Sequence, residues 1–301
     1  MVAIMERIEH IPVMCQEILQ GLNLHPGDHV LDCTLGLGGH SKEIIKHISP
    51  HGFLIGIDRD ADSIAIAKEN LEEFAGHIAF VHKDFRQLDK VLESLGIKEV
   101  NAILLDLGVS SYQLETPERG FGIRENGPLD MRMDRDSFIS AYDLVNTLSM
   151  NEISLILKNF GEERWHRRIA DHLVRERAKH PIESTEELKR IIISAIPRQY
   201  QNQSIHPATR SFQAFRIAVN RELESLGEAL DKSIKYLRVG GRICVISFHS
   251  LEDRIVKDKF HNYSEKNEIK VFTKKPLRPS LLEVNENPRA RSARLRVAEK
   301  K

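Results

Sequence analysis

The stretch His29-Val30-Leu31-Asp32-Cys33-Thr34-Leu35-Gly36-Leu37-Gly38-Gly39-His40-Ser41 decides the fold. Its apolar run ends in an acidic residue, three glycines follow within four positions, and Lys42–Ile48 then continues with helical periodicity. This order predicts a strand, a tight turn and a helix. Glycines suit such a turn because they reach positive φ and let the backbone approach a ligand, and the free N–H groups of the helix start face the same place. The stretch therefore predicts a site for a nucleotide-like ligand, although a plain tight turn is the alternative.

Details of the turn narrow the choice of ligand. A phosphate-binding loop needs Gly-Lys-Ser/Thr, and Gly39-His40-Ser41 lacks the lysine. The dinucleotide pattern fails in strict form because Ser41 stands where its third glycine belongs. A second apolar run, Phe53–Ile57, ends at Asp58, where a carboxylate can bind ribose hydroxyls. A ligand with ribose but no pyrophosphate satisfies these observations, which favours S-adenosylmethionine over a nicotinamide cofactor.

Composition limits the class of protein. The 301 residues carry 44 Lys and Arg against 44 Asp and Glu, so any footprint for nucleic acid must be local. The first ten residues contain no apolar signal region and no run of apolar residues is long enough to span a membrane, which predicts a soluble cytoplasmic protein. Cys15, Cys33 and Cys244 are far apart and form no C-x-x-C motif. We therefore expect neither a disulfide framework nor a structural metal.

Acidic residues follow four short apolar runs: Asp32, Asp58, Asp84 and Asp106. Segments with helical periodicity separate the runs, and this alternation predicts a doubly wound α/β sheet with parallel strands. Ligands collect at the carboxyl ends of such strands. Asp84 is therefore a candidate partner for an adenine amino group, and Phe85 is either a cover for the adenine ring or a core residue.

The strand pattern stops in the middle of the chain. Residues 112–210 contain loops and helical segments but no alternating strand, and residues 115–136 form a long loop rich in Gly, Pro and Arg. The alternation resumes with a predicted long helix over residues 211–237, a strand over 242–247, a helix over 251–260 and strands near 269–273 and 293–297. We expect a discontinuous domain of residues 1–111 and 211–301 and an inserted helical domain of residues 112–210.

Two groups of basic residues are candidates for contact with nucleic acid. Arg164, Arg168 and Arg175 have a spacing that places them on one helix face, which either binds phosphate or is a solvated face paired with nearby acids. Residues 274–301 contain nine Lys and Arg against three Asp and Glu. Such a basic tail indicates RNA or DNA backbone contact, or only a solubilising segment.

Several longer motifs occur together in one order. They are Gly38-Gly39-His40-Ser41, Asp58-Arg59-Asp60, Leu104-Leu105-Asp106-Leu107-Gly108-Val109-Ser110-Ser111, Arg119-Gly120-Phe121, Gly127-Pro128-Leu129-Asp130-Met131-Arg132-Met133-Asp134, Gly161-Glu162-Glu163-Arg164, His206-Pro207-Ala208-Thr209-Arg210 and Ser247-Phe248-His249-Ser250-Leu251-Glu252-Asp253. Over nearly the whole chain, this set resembles the RsmH (MraW) family of bacterial 16S rRNA methyltransferases.

The resemblance implies a class I methyltransferase sheet of Rossmann-like type whose inserted helical domain recognises RNA. It implies S-adenosylmethionine-dependent methylation of the N4 amine of a cytidine in the decoding region of 16S rRNA, within the small ribosomal subunit. Whether the enzyme is a homodimer stays open. On the matching positions, the resemblance implies that the cofactor contacts Gly38, Gly39, His40, Asp58, Phe85, Asp106 and Gln113.

Methyl transfer to an amine is an in-line displacement and needs mainly correct positioning of the nitrogen. The N4 lone pair is delocalised into the ring, so an acceptor for the amine hydrogens and a base are needed. We expect Asp106 or the backbone near it to contact the amine with help from Ser110, and Phe248 or His249 to stack on the cytosine; the alternative is a purely structural strand end. Arg164, Arg168 and the basic tail would hold the surrounding RNA. A nicotinamide-dependent oxidoreductase and a non-catalytic RNA-binding factor are the competing functions.

Overall fold

A computed structural model describes residues 12–201 and 205–301 of the chain. The sequence features noted for the first ten residues therefore lie outside the described part. Contacts divide the chain into two compact units. The sheet unit comprises the residues up to Gly108 together with Leu223–Lys301, and the helical unit comprises Val109–Glu222.

The sheet unit contains one seven-stranded sheet. Its strands are β1 His29–Asp32, β2 Phe53–Asp58, β3 Ile78–His82, β4 Val100–Asp106, β5 Leu237–Ser247, β6 Ile269–Val271 and β7 Arg294–Lys300. They lie in the order β3-β2-β1-β4-β5-β7-β6. The first five strands pair in parallel as predicted, whereas β7 is antiparallel to both of its neighbours. The expectation of a wholly parallel sheet is therefore wrong at this end.

Thirteen α-helices lie within the described residues. They are α1 Cys15–Leu22, α2 Gly39–Ile48, α3 Ala61–Asn70, α4 Leu88–Ser94, α5 Ser111–Glu115, α6 Ala141–Thr147, α7 Met150–Gly161, α8 His166–Arg177, α9 Thr185–Ala195, α10 Thr209–Asn220, α11 Glu222–Tyr236, α12 Ser250–Glu265 and α13 Leu281–Glu286. Within residues 12–201 and 205–301, none of them has both the length and the apolar character needed to cross a membrane.

The strands are buried on both faces. Successive residues of β1 enter different cores: Val30 packs with α1, α2 and α3, and Leu31 packs with α4, α11 and α12. Leu104 and Leu105 of β4 divide in the same way. Alternation of side chains between two covered faces explains why these strands read as continuous apolar runs. The predicted doubly wound architecture is confirmed.

The helical unit has a core of its own, built from α6 to α10. Four helices of this unit are preceded by a serine whose side chain caps the helix, at Ser110, Ser140, Ser149 and Ser184. The long loop before α6 is organised by Arg119, which is 1% exposed and donates to the carbonyl oxygens of Arg132 and Met133. This segment has no helical or strand periodicity, and the hydrogen bonds of the buried Arg119 side chain hold it in place instead.

The long helix predicted over residues 211–237 is wrong, because the chain breaks into α10 and α11. Arg221 lies between them in the left-handed region, with φ of 49°. The apolar face of α10, including Phe212 and Phe215, packs into the core of the helical unit. Residues 211–222 therefore belong to the helical unit and not to the discontinuous domain to which the sequence analysis assigned them.

The basic segment of residues 274–301 is not a tail. It contains α13 and β7, and β7 lies inside the sheet. Arg296 on β7 is 5% exposed, and its Nε lies 2.7 Å from Asp253 Oδ1 on α12. Arg294 Nη1 lies 3.3 Å from Asp253 Oδ2. These two arginines pair with a carboxylate inside the sheet unit, so they do not serve as the free RNA contacts that the sequence analysis considered.

Candidate active site

The glycine turn after β1 is held at both ends by Asp32, which is 1% exposed. Asp32 Oδ1 accepts a hydrogen bond from the Thr34 N–H at 3.0 Å, and Oδ2 accepts one from Ser41 Oγ at 2.7 Å. Burial raises the pKa of Asp32, although these hydrogen bonds oppose the rise. Sequence reasoning noted this acid only as the end of a strand. In the sequence, Ser41 was considered only because it stands where the dinucleotide pattern has a glycine. Its hydroxyl was the signal that this residue bonds to Asp32.

Gly38 gives the turn its shape. Its φ of 86° is in the left-handed region, and it lies directly before α2. A Cβ at this position would lie 2.8 Å from Leu71 Cδ1, so a side chain would collide with its neighbour as well as strain the backbone. The structure therefore requires glycine here because of the backbone conformation and the close packing of Leu71.

Asp58 joins the second strand to the turn. Its Oδ2 accepts a hydrogen bond from the Gly36 N–H at 2.7 Å, and Oδ1 accepts one from the Asp60 N–H at 2.9 Å. Burial raises the pKa of Asp58 to about 6, even though both backbone hydrogen bonds favour the ionised form. The predicted ribose-binding acid is thus fixed against the predicted glycine turn.

His40 and Asp106 come together from α2 and the end of β4. His40 is 7% exposed, and its Nε2 lies 3.4 Å from Asp106 Oδ2. Burial by itself would lower the pKa of His40, but the Asp106 carboxylate, helped by Cys15 and Asp32, raises it to about 10. His40 is therefore an imidazolium at neutral pH. The sequence predicted both residues as cofactor contacts but not their pairing.

This ion pair predicts how stability depends on pH. Between the ordinary pKa of 6.5 and the folded value of about 10, only the folded state keeps the proton on His40, so the free energy of unfolding falls as pH rises. The loss should be on the order of a few kcal/mol from about pH 7 to about pH 10. Urea denaturation across this range should show the fall in the wild type and in His77→Gln. His40→Gln should flatten it, and an equal fall in that variant would contradict the assignment.

Asp106 has an unused acceptor. Its backbone N–H donates to Thr34 Oγ1 at 2.6 Å, and Oδ2 faces His40. Its Oδ1 is buried and has no hydrogen-bond partner among residues 12–201 and 205–301. A buried carboxylate oxygen left in this state costs free energy unless a ligand donates to it. The atom therefore marks a place for an N–H or O–H donor.

Phe248 lies at the same edge of the sheet. Asp106 of β4 is opposite Ile246 of β5, so the residues that follow the two strands leave the sheet side by side. A Cβ on Gly108 would lie 3.5 Å from Phe248 Cδ2, which places the ring over this glycine. The segment after β4 therefore carries a carboxylate and borders an aromatic ring.

The side chain of His249 caps the start of α12. Its Nδ1 accepts a hydrogen bond from the Glu252 N–H at 3.4 Å, and its Nε2 lies 3.1 Å from Glu252 Oε1. Glu252 Oε2 in turn accepts from the Phe248 N–H at 2.8 Å. Of the two residues proposed to stack on cytosine, the geometry favours Phe248.

The region after β3 is occupied by ion pairs. Asp84 pairs with Arg59, and Arg86 Nε lies 3.5 Å from Asp84 Oδ2. Phe85 is partly buried against the core of one sheet face, and Arg59 Cζ lies 5.9 Å from the centre of its ring. Phe85 therefore packs partly in the core, as one of the two alternatives predicted. Its contact with a cofactor stays a prediction.

Ser110 and Gln113 belong to the helical unit, where they cap α5. The Gln113 N–H donates to Ser110 Oγ at 3.2 Å, and the Ser110 N–H donates to Gln113 Oε1 at 3.1 Å. The catalytic role predicted for Ser110 and the cofactor contact predicted for Gln113 stay predictions.

The predicted arginine face is only partly formed. Arg164 precedes α8, which begins at His166, so it does not share a helix face with Arg168. Arg175 Nη2 lies 3.0 Å from Asp171 Oδ2, as the solvated-face alternative requires. Arg164 and Arg168 are exposed. Their contact with RNA stays a prediction.

These features define a class of protein. The sheet order with one antiparallel strand, the glycine turn after β1 and the acids that end β1, β2 and β4 are those of a Rossmann-like, class I methyltransferase. The sequence profile of the MraW methylase family matches residues 7–301, and the chain belongs to this family. Its cofactor is S-adenosylmethionine.

Curated relatives cover nearly the whole chain. A protein from Clostridioides difficile is 44% identical over 97% of this chain and 98% of its own length, and one from Caldicellulosiruptor bescii is 48% identical over 97% and 99%. A relative from Geotalea uraniireducens is 46% identical over 98% of this chain and 100% of its own length. All three are named ribosomal RNA small subunit methyltransferase H.

Proposed function

We propose that this chain methylates the N4 amine of a cytidine in the decoding region of 16S rRNA, within the small ribosomal subunit in the cytoplasm. The names of its relatives support small-subunit rRNA as the substrate. The observation that carries the proposal is Asp106 Oδ1, a buried acceptor without a partner among the described residues, at a sheet edge that also holds the ring of Phe248. An exocyclic amine on a flat ring needs both an acceptor and a stacking surface.

The residues of the sheet unit fit S-adenosylmethionine. When bound, this cofactor supplies a methyl group activated by a sulfonium. The turn leaves space at Gly36, where a Cβ would meet only the Thr34 carbonyl oxygen, at 3.9 Å. Asp58 keeps acceptor capacity for ribose hydroxyls because each of its oxygens receives only one backbone N–H in the turn. His40 places a positive charge directly after the turn. These residues hold and orient the cofactor.

Asp106 prepares the amine for attack. Its free oxygen accepts an N–H of the N4 group, which turns the nitrogen lone pair out of conjugation with the ring and fixes its position. Once the nitrogen has gained the methyl group it must lose a proton, and the same carboxylate is the acceptor at hand. The imidazolium of His40 balances the charge of Asp106 throughout.

Two of the three thiols, those of Cys33 and Cys244, do not support methylation at carbon 5 of cytosine, which needs a thiolate nucleophile. Cys33 and Cys244 are buried, and burial raises the pKa of both thiols above the ordinary value. Both therefore stay protonated at neutral pH. This chemistry favours direct transfer to an amine over a covalent intermediate.

Asp58 should make cofactor binding depend on pH. Its pKa of about 6 means that acidification from about pH 7 to about pH 5 protonates the carboxylate and weakens its hydrogen bonds to ribose hydroxyls. We expect the Kd for S-adenosylmethionine to rise by about tenfold over this range, as for a lost charge-assisted hydrogen bond. Isothermal titration calorimetry measures it. Asp58→Asn should bind weakly at both pH values, whereas tight, pH-independent binding by this variant would contradict the role.

Transfer of labelled methyl groups tests the proposed function. Small ribosomal subunits from a strain that lacks the enzyme are incubated with the protein and labelled S-adenosylmethionine, and the rRNA is digested to nucleosides. Label in N4-methylcytidine, or in its 2′-O-methylated form, supports the proposal. Label in 5-methylcytidine or in another nucleoside overturns it. Naked 16S rRNA in parallel reactions shows whether the assembled subunit is required, and absence of label from both substrates also overturns the proposal.

A further inference from the structure

We infer that Arg164, Trp165 and Tyr200 form a platform on the helical unit that binds a single-stranded segment of RNA through base stacking and phosphate contact. The inference rests on the proposed function, since it concerns how the same enzyme holds its RNA. We call these three residues the stacking cluster.

The stacking cluster is a compact set of flat groups. The ring centres of Trp165 and Tyr200 lie 5.4 Å apart, with their planes inclined by 45°. Arg164 Cζ lies 5.1 Å from the centre of each ring. The two rings are partly buried against the core of the helical unit, while Arg164 is exposed. The guanidinium is therefore held against aromatic faces while the residue itself remains open to solvent.

Neighbouring side chains fix the segment that carries the stacking cluster. Glu163 is 5% exposed, and its Oε1 accepts a hydrogen bond from the Trp165 N–H at 2.8 Å. His166 Nδ1 lies at 2.7 Å from Ser154 Oγ on α7. Arg210 Nη1 donates to the Glu162 carbonyl oxygen at 3.2 Å. The side chain of a surface arginine normally loses much rotamer freedom on binding. Arg164 has lost part of that freedom in advance, because its guanidinium already lies against the two rings.

The surroundings of the stacking cluster are positively charged. Arg167 and Arg168 are exposed on the first turn of α8, and Arg198 is exposed two residues before Tyr200. Burial lowers the pKa of His166, and the charges of Arg167 and Lys158 lower it further. Two acids directly precede Arg164 in the chain: Glu163 is buried and accepts from the Trp165 N–H, whereas Glu162 is exposed, so the arginines outnumber the one exposed carboxylate. A polyanion is the partner that these charges favour.

Aromatic rings and a planar cation next to basic side chains match the chemistry of single-stranded nucleic acid. Each base offers a flat face for stacking, and each phosphate accepts two parallel hydrogen bonds from a guanidinium. Trp, Tyr and Arg are also common at protein interfaces, but the further exposed arginines at positions 167, 168 and 198 favour a polyanion over a protein surface. RNA is therefore the occupant we infer.

Trp165 allows a direct test, because it is the one tryptophan of the chain. The full-length protein is titrated with a fluorescein-labelled, single-stranded RNA of about twelve nucleotides taken from the decoding region. Anisotropy of the label gives the Kd, and an unlabelled copy of the RNA is used to follow tryptophan emission. We expect binding to quench this emission, since stacked bases quench indole fluorescence.

Variants separate stacking from charge. Tyr200→Ala and Arg164→Gln should each raise the Kd roughly tenfold, within the range found for loss of one stacked base. Arg164→Lys keeps the charge and should still weaken binding, because the flat guanidinium is lost. Tyr200→Phe should bind like the wild type.

Arg190→Gln removes an exposed arginine of α9 and should change the Kd by less than about threefold. Thermal melting confirms that each variant is folded, and Arg164 is exposed, so its substitution spares the core.

Two results would overturn the inference. One is RNA binding by the wild type with unchanged tryptophan emission and no effect of Arg164→Gln or Tyr200→Ala. The other is loss of affinity for whole subunits but not for RNA, which would assign the cluster to a ribosomal protein. Nucleoside analysis of the wild-type reaction is read separately, so N4-methylcytidine there upholds the proposed function even when the stacking cluster fails this test.

Discussion

Asp106→Asn should lower kcat for methyl transfer by roughly 10² to 10⁴-fold, the range expected when a positioned proton acceptor is removed. The amide still fills the space at the end of β4, and its oxygen still accepts an N–H, but it carries no charge and does not take the proton. The change also removes the carboxylate that faces His40 at 3.4 Å. Single-turnover transfer to small subunits, with S-adenosylmethionine saturating, measures the chemical step.

The matched control is Asp89→Asn. Asp89 Oδ1 pairs with Lys232 Nζ at 2.9 Å at the surface of α4, so its loss should leave kcat within about twofold of the wild type. Calorimetry with S-adenosylmethionine separates binding from chemistry in both variants. Full turnover by Asp106→Asn with unchanged cofactor affinity would remove Asp106 from the mechanism and leave it as a strand end.

Asp253→Asn should lower the free energy of unfolding by about 3–5 kcal/mol, because it leaves a buried arginine without its counter-charge. Arg296 is 5% exposed on β7, and Asp253 is its carboxylate partner at 2.7 Å. The same carboxylate also pairs with Arg294. Urea denaturation followed by circular dichroism measures the change.

Asp231→Asn is the control for this stability prediction. Asp231 Oδ2 lies 2.6 Å from Lys259 Nζ, but the aspartate side chain is 47% exposed, so its loss should cost less than about 1 kcal/mol. The two variants make the same chemical change in ion pairs that differ in burial. If the two variants lowered the free energy of unfolding by equal amounts, the pair of Asp253 and Arg296 would be screened by water in spite of its burial.

The sequence was sufficient for the features that depend on local patterns. The strands from β1 to β4 were predicted because apolar runs end in acids, and the turn at Gly38 was predicted because glycines interrupt the pattern. The structure places Asp58 against that turn through the Gly36 N–H. The residues at a strand end and in the turn beside it can thus be predicted from their spacing in the sequence alone.

Features that depend on distant partners were not readable. Arg221 breaks the helix between α10 and α11 in a left-handed conformation, yet nothing in an arginine signals such a break. The strand near 293–297 was predicted, but its arginines were interpreted as a nucleic-acid contact or a solubilising segment, because Asp253 lies far away in the sequence. The pairing of His40 with Asp106, and of Asp84 with Arg59, likewise depends on strand order rather than on neighbouring residues.

The place of the helical unit in the chain sets the order in which the sheet can be completed during synthesis. β4 pairs with β5, but all of Val109–Glu222 must be made between them. Until then β4 is the outermost strand of a partial sheet: it can pair with β1, but its backbone N–H and C=O groups on the β5 side are unpaired. At the usual pace of translation this lasts on the order of ten seconds. The nascent chain thus exposes an unpaired strand edge while the helices of the helical unit form, and such an edge is a site for incorrect pairing with another chain.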